Sequence, residues 1–135
     1  MMDKDIIFRI TPDPERAESL LEMSVDRLEL LKLIPKNRTY KIVEEYYEII
    51  KELLTAVMYT DGSKTLSHVK LIEYFASRYD TLDENELRLI DQLRKHRNGI
   101  VYYGRKLSVD FLENHEDSIK AVISKLSAFV RKRLD

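Results

Sequence analysis

Apolar residues recur at steps of three and four along most of the chain, which is the spacing of amphipathic helices. The first predicted helix begins at Asp13, a capping residue, with Pro14 in the first helical position, and ends before Pro35. Three further long segments and one shorter segment follow the same spacing. Their predicted bounds are 37 or 39 to about 59, about 65 to 79, 83 to 104, and 108 to about 134.

The second predicted helix has apolar residues around most of its circumference. Such a helix lies either at the centre of a bundle or at a contact with another subunit. Its glutamates, among them Glu48 and Glu52, are expected to form a solvated flank. In the third helix, Leu66 and Val69 are expected to face the core, and His68 is interpreted first as a structural, hydrogen-bonded histidine.

These segments predict an all-α protein. We expect one up-and-down bundle of four long helices and one short helix over residues 13–135, preceded by an N-terminal arm over residues 1–12. No repeat, low-complexity tract or linker interrupts the bundle pattern.

Composition excludes several classes of function. The chain has 135 residues, no cysteine and a net charge of −1, so it has no thiol nucleophile and no zinc-cysteine site. A dedicated duplex-DNA binder would be broadly basic, which this chain is not. The N-terminal apolar run is too short for a secretion signal or a membrane span. We therefore expect a cytoplasmic protein without membrane contact.

The segment from Leu93 to Gly104 departs from this balanced charge. Between residues 92 and 109 there is no acidic residue and a local charge of +5, and Arg97 lies on the apolar face of the predicted helix. An arginine there must be paired, covered by a second chain or directed into a cleft, unless its head group escapes to solvent. The segment predicts a site for phosphates or other anions, with the candidate ligand-binding residues Arg94, Arg97, Asn98, Tyr102, Tyr103 and Arg105.

Other kinds of site are disfavoured by the sequence. The three histidines, His68, His96 and His115, fall on three different predicted helices, and no Glu-x-x-His spacing is present. There is no glycine-rich phosphate loop either. We expect neither a bound metal nor a cofactor.

The order of elements resembles HEPN domains over nearly the whole chain. The resemblance rests on Glu45-Tyr46-Tyr47-Glu48 in a central helix, Asp61-Gly62 with His68 opening the next helix, and Arg97-Asn98 late in the fourth helix before a long last one. It implies a small helical bundle that forms homodimers. Many HEPN domains are metal-independent ribonucleases, often toxins paired with a small nucleotidyltransferase of the MNT type.

The HEPN motif is an arginine, usually a polar residue after it, and a histidine after four to six intervening residues. Arg97 and Asn98 match its first two positions. The place of the histidine is taken by Tyr102 with four intervening residues, or by Tyr103 or Gly104 with five or six. In the toxin subgroup a tyrosine follows two positions later, where this chain has Gly104. The residue that would transfer protons is therefore absent.

Three functions stay open at this point. The first is a homodimer that binds RNA or a nucleotide at Arg97, Asn98 and Tyr102 without efficient cleavage. The second is a ribonuclease with Arg97 as the cation and Tyr102 or His96 as the proton-transfer group. The third is a non-catalytic module that partners an MNT-type nucleotidyltransferase or receives a nucleotidyl group on Tyr102 or Tyr103.

Overall fold

Five α-helices and one small antiparallel sheet form the structure, a computed structural model that describes residues 6–135. The all-α bundle of four long helices and one short helix is confirmed. In chain order the elements are β1 (Ile7–Arg9), α1 (Pro14–Leu31), α2 (Thr39–Asp61), β2 (Ser63–Thr65), α3 (His68–Arg78), α4 (Glu84–Tyr103) and α5 (Val109–Leu134).

Helix α2 is the centre of the bundle and contacts the other four helices. Its apolar girdle is fully covered within one chain, so a central position is sufficient to explain its breadth. The buried apolar residues of α2 are Ile42, Val43, Tyr46, Tyr47, Ile49, Ile50, Leu53, Leu54, Ala56, Val57 and Met58.

Two helices begin at the caps that the sequence predicted. The Asp13 carboxylate accepts a hydrogen bond from the Arg16 amide at 3.1 Å. At the start of α4, the Glu86 amide donates to the Asp83 carboxylate at 2.8 Å, and the Asp83 amide donates to the Glu86 carboxylate at 3.0 Å. This reciprocal capping box satisfies two amides that a helix leaves without intrahelical partners.

The start of α3 differs from the prediction. Residues 63–65 form β2 and pair with β1, so that Ile7 lies opposite Thr65, and α3 begins only at His68 with Ser67 as its cap. As a result Leu66 and Val69 are 57% and 42% exposed instead of facing the core. Residues 1–5 of the predicted arm lie outside the described residues.

Helix α4 ends at a glycine turn that directs the chain back along the helix. Gly104 has a left-handed φ of 61°, and its amide donates to the Ile100 carbonyl at 3.1 Å. The Arg105 amide donates to the Gly99 carbonyl at 3.1 Å. A left-handed glycine after the last helical residue is a common helix end, because glycine adopts positive φ without steric strain.

None of the helices within residues 6–135 combines the length and the apolar character that a membrane crossing requires.

Replacing the cap of α4 tests this account of the fold. We expect Asp83→Ala to lower the free energy of unfolding by about 1 kcal/mol, because the Glu86 amide loses its acceptor. The control is Asp80→Ala, which removes an exposed carboxylate just before the cap and should leave stability almost unchanged. Urea denaturation followed by circular dichroism measures both, and equal stabilities of the two variants would contradict the assignment.

Candidate functional site

A shallow cleft of about 300 Å³ opens between the first turn of α3 and the second half of α4. It brings together four of the residues that the sequence predicted for ligand binding: Arg94, Arg97, Asn98 and Tyr102. We call this the α3–α4 cleft. The remaining lining residues come from the start of α3 and the segment before it: Leu66, Ser67, His68 and Val69.

Arg97 lines this cleft, with its side chain 19% exposed. Its nearest carboxylate is that of Glu48 on α2, and the Arg97 Nη2 to Glu48 Oε1 distance is 3.9 Å. That separation allows electrostatic attraction but is too long for a hydrogen bond. Within residues 6–135 the Arg97 guanidinium has no hydrogen-bonded partner. Its donors are therefore available to a ligand in the cleft.

Glu48 has a second cation beside it. The Lys51 ammonium lies 3.0 Å from Glu48 Oε2, one turn along α2. Glu48 would keep this partner if Arg97 turned to an anion in the cleft. Arg97 is therefore held near a carboxylate while its N–H groups stay available to a ligand.

The local charge of +5 is reduced by pairing. Arg94 lies 2.9 Å from the Asp91 carboxylate, and Lys95 lies 3.3 Å from it. Burial acts to raise the pKa of Asp91, but the hydrogen bonds and charges of Arg94 and Lys95 together outweigh burial and lower it. The sequence window showed no acid among these cations because Asp91 precedes it and Glu48 comes from another helix.

His68, which the sequence predicts first to be a structural histidine, lines the cleft. Its Nδ1 lies 3.0 Å from the hydroxyl oxygen of Tyr47, and its Nε2 has no hydrogen-bond partner within residues 6–135. Burial lowers the pKa of His68, and the charges of Lys51 and Arg97 add to this effect. The neutral imidazole is thus favoured. Its meeting with Arg97 depends on the packing of α3 against α4, which no local motif reveals.

Tyr47 stays protonated beside His68, since burial raises the pKa of its hydroxyl far above the ordinary range. The nearby charges of Arg94 and Arg97 oppose this shift but are the smaller effects. Tyr47 can therefore donate to His68 Nδ1 or accept from it, depending on the histidine tautomer.

The two tyrosines at the end of α4 are directed to solvent, with Tyr102 67% and Tyr103 72% exposed. Tyr102 lines the α3–α4 cleft, whereas Tyr103 does not. The Arg105 guanidinium lies 5.2 Å from the centre of the Tyr103 ring, which is a cation–π arrangement. Tyr103 and Arg105 are therefore neighbours of the cleft and not part of its lining.

His96 lies away from the cleft. Its ring packs at 4.6 Å from Phe111 of α5, and Phe111 packs in turn at 4.7 Å from His115. Burial and the neighbouring His115 lower the pKa of His96. This aromatic cluster joins α4 to α5, so the structure separates His96 from Arg97 and Tyr102.

The glutamates of α2 are not the solvated flank expected from the sequence. Glu52 is buried and forms an ion pair with Arg27 of α1, with Nε to Oε1 at 2.6 Å. Arg27 also lies 3.3 Å from Glu45. Burial raises the pKa of Glu52, and the charge of Arg27 opposes that rise. These acids connect α2 to its neighbours.

Within the part of the chain that the structure describes, no three His, Cys, Asp or Glu side chains come close enough to hold a metal ion. The α3–α4 cleft instead offers guanidinium donors, an amide, an exposed phenol ring and a neutral imidazole. Such a set can bind a phosphate and its attached sugar or base. No protein-family model matches the chain, and no curated protein matches its sequence.

Proposed function

We propose that the chain is a HEPN-like domain that binds RNA or a nucleotide at the α3–α4 cleft. The observation that carries this proposal is the Arg97 guanidinium, which is mostly buried, lies 3.9 Å from its nearest carboxylate and opens onto the cleft. Arginine donors arranged in this way suit the oxygens of a phosphate, which accept two parallel hydrogen bonds.

The neighbours of Arg97 support the same class of ligand. Arg94 adds a second guanidinium to the cleft, and the exposed ring of Tyr102 offers a face on which a base can stack. The amide of Asn98 can both donate and accept, as the edge of a base or a ribose hydroxyl requires.

A homodimer belongs to this proposal. The rim of the cleft carries exposed apolar side chains, Leu66 and Val69, next to the ring of Tyr102. Clustered exposed apolar side chains often mark a protein contact. A second copy on this rim would deepen the cleft and keep water from Arg97, which strengthens its attraction for a phosphate.

Ribonuclease activity is a second candidate, and His68 is the observation that favours it. Metal-free cleavage needs a base for the 2′-hydroxyl proton and a cation for the charge that develops on the phosphorus oxygens. When Nδ1 of His68 donates to the Tyr47 hydroxyl, Nε2 carries a free lone pair. His68 can then act as the base beside Arg97, with the Tyr102 hydroxyl as a proton donor.

Binding is tested with a fluorescent single-stranded RNA. We expect affinity to fall as salt rises from about 50 to 200 mM, because bound phosphates release counterions from the RNA. Arg97→Ala should weaken binding about tenfold or more, since hydrogen bonds to a charged group contribute roughly 1.5–3 kcal/mol. Fluorescence anisotropy measures both effects.

The matched control for Arg97→Ala is Arg88→Ala, which removes an exposed arginine from the same helix, 4.0 Å from Glu84. It should leave RNA binding unchanged. Binding that does not depend on salt, or that both substitutions weaken equally, would contradict the proposed site.

The homodimer is tested by substitution on the rim. At micromolar concentration the wild-type chain should sediment with twice its own mass, and Leu66→Glu should shift it to the monomer because a charge enters an apolar contact. Leu33→Glu, at a 77% exposed position after α1, is the control and should leave the dimer intact. A wild-type monomer under these conditions would rule out the dimer.

Catalysis by His68 predicts a particular pH profile. The pKa of His68 lies below its ordinary value of 6.5, and a base acts in its unprotonated form. The cleavage rate in EDTA should therefore rise with pH and reach half of its plateau below pH 6.5. His68→Gln and Arg97→Ala should abolish cleavage, and Tyr102→Phe should slow it. Gel analysis of labelled RNA measures the rates.

Two outcomes would count against His68 as the base. Loss of activity in His96→Gln with full activity in His68→Gln would transfer the role to His96. Equal cleavage by wild type, His68→Gln and Arg97→Ala would identify a contaminating nuclease.

A further inference from the structure

A second groove of about 810 Å³ lies on the other flank of the same end of α4. It is lined by the start of α2, the last turn of α4 and the turn that follows. We call it the α2–α4 groove. Its lining residues are Asn37, Arg38, Thr39, Tyr40, Glu44, Ile100, Val101, Gly104, Arg105, Lys106 and Leu107.

The charge of the α2–α4 groove is mainly positive. Arg38, Arg105 and Lys106 are all exposed, and Glu44 is the single acidic residue in the lining. Within residues 6–135 none of the three cations forms an ion pair. Unpaired cations gathered on one concave surface attract a polyanion.

Aromatic rings accompany these cations. Tyr40 is half-exposed in the groove, and Tyr103 stands beside Arg105 at the end of α4. Exposed rings next to cations can hold the bases and the backbone of a single nucleic-acid strand without reading its sequence. A stack of this kind does not form on duplex DNA, whose bases are paired and stacked inside the helix.

The groove and the α3–α4 cleft lie on two flanks of the end of α4 and share no lining residue. Asn98 and Tyr102 line the cleft, whereas Val101 and Gly104, their near neighbours in sequence, line the groove. The two surfaces are thus separated by little more than the width of one helix, about 10 Å. Tyr102 lines the cleft and Tyr103 lines neither surface, and both rings are exposed at this end of α4.

We infer that the α2–α4 groove is a second binding site, which holds the continuation of a single RNA strand whose other part lies in the α3–α4 cleft. This inference rests on the proposed function. It narrows the ligand from RNA or a nucleotide to an extended single strand that crosses the end of α4. Arg38 and Lys106 contact its phosphates, and Tyr40 stacks on a base.

The test compares a uridine mononucleotide with a uridine decanucleotide. Wild type should bind the longer ligand at least about tenfold more tightly, since only that ligand reaches both surfaces. The double variant Arg38→Ala/Lys106→Ala should remove most of this gain and leave mononucleotide binding unchanged. Its salt dependence should flatten by about 0.7 in log–log slope for each phosphate that the variant no longer binds.

The control is Arg88→Ala/Lys132→Ala, which removes the same charge from exposed positions outside both surfaces. It should bind both ligands like wild type. Equally weakened binding in the two double variants would show that net charge alone is responsible and would overturn the inference.

Failure of the inference can be told apart from failure of the proposed function. Binding that Arg97→Ala abolishes but that is equal for both lengths keeps the α3–α4 cleft and excludes the strand across α4. Binding that Arg38→Ala/Lys106→Ala abolishes while Arg97→Ala has no effect excludes the path through the cleft. If neither ligand binds, both proposals are wrong.

Discussion

The burial of most of α2 is the constraint from which the rest of the structure follows. A helix in contact with four others must find a partner inside the protein for each polar group that it buries. Tyr46 donates to Glu116 of α5 at 2.7 Å, and Glu52 pairs with Arg27 of α1. The candidate site depends on the same helix. The Tyr47 hydroxyl of α2 contacts His68 at 3.0 Å, and Glu48 of α2 lies 3.9 Å from Arg97.

The two arginines that face the glutamates of α2 differ in their distance from those carboxylates. The Arg27 guanidinium lies 2.6 Å from Glu52 and 3.3 Å from Glu45, so both of its contacts are close. Arg97 lies 3.9 Å from a carboxylate that already has Lys51 at 3.0 Å. A buried cation with close partners mainly joins helices, whereas one with a distant partner can exchange it for a ligand. This contrast within one chain is why Arg97 is the centre of the proposed site.

The sequence predicted the parts of the fold that depend on local spacing. Helical periodicity and the caps of α1 and α4 have their causes within a few residues, whereas the start of α3 was wrong because β2 pairs with the distant β1. A charge on an apolar helical face likewise made Arg97 a candidate for the site. Its neighbours Glu48 and His68 could not be predicted, since they belong to other helices and meet Arg97 only after packing. His96 leaves α4 in another direction from Arg97 and packs against Phe111.

The contacts at the end of α4 explain why glycine, a weak helix former, occurs there twice. A Cβ on Gly99 would lie 3.2 Å from Cδ of Arg105, so the missing side chain leaves room for the side chain of Arg105. Gly104 supplies the left-handed turn that makes this return sterically easy. A glycine inside a helix costs about 1 kcal/mol relative to alanine. In return, the turn after α4 brings Arg105 and Lys106 to the α2–α4 groove. Arg97 lines the cleft on the other flank.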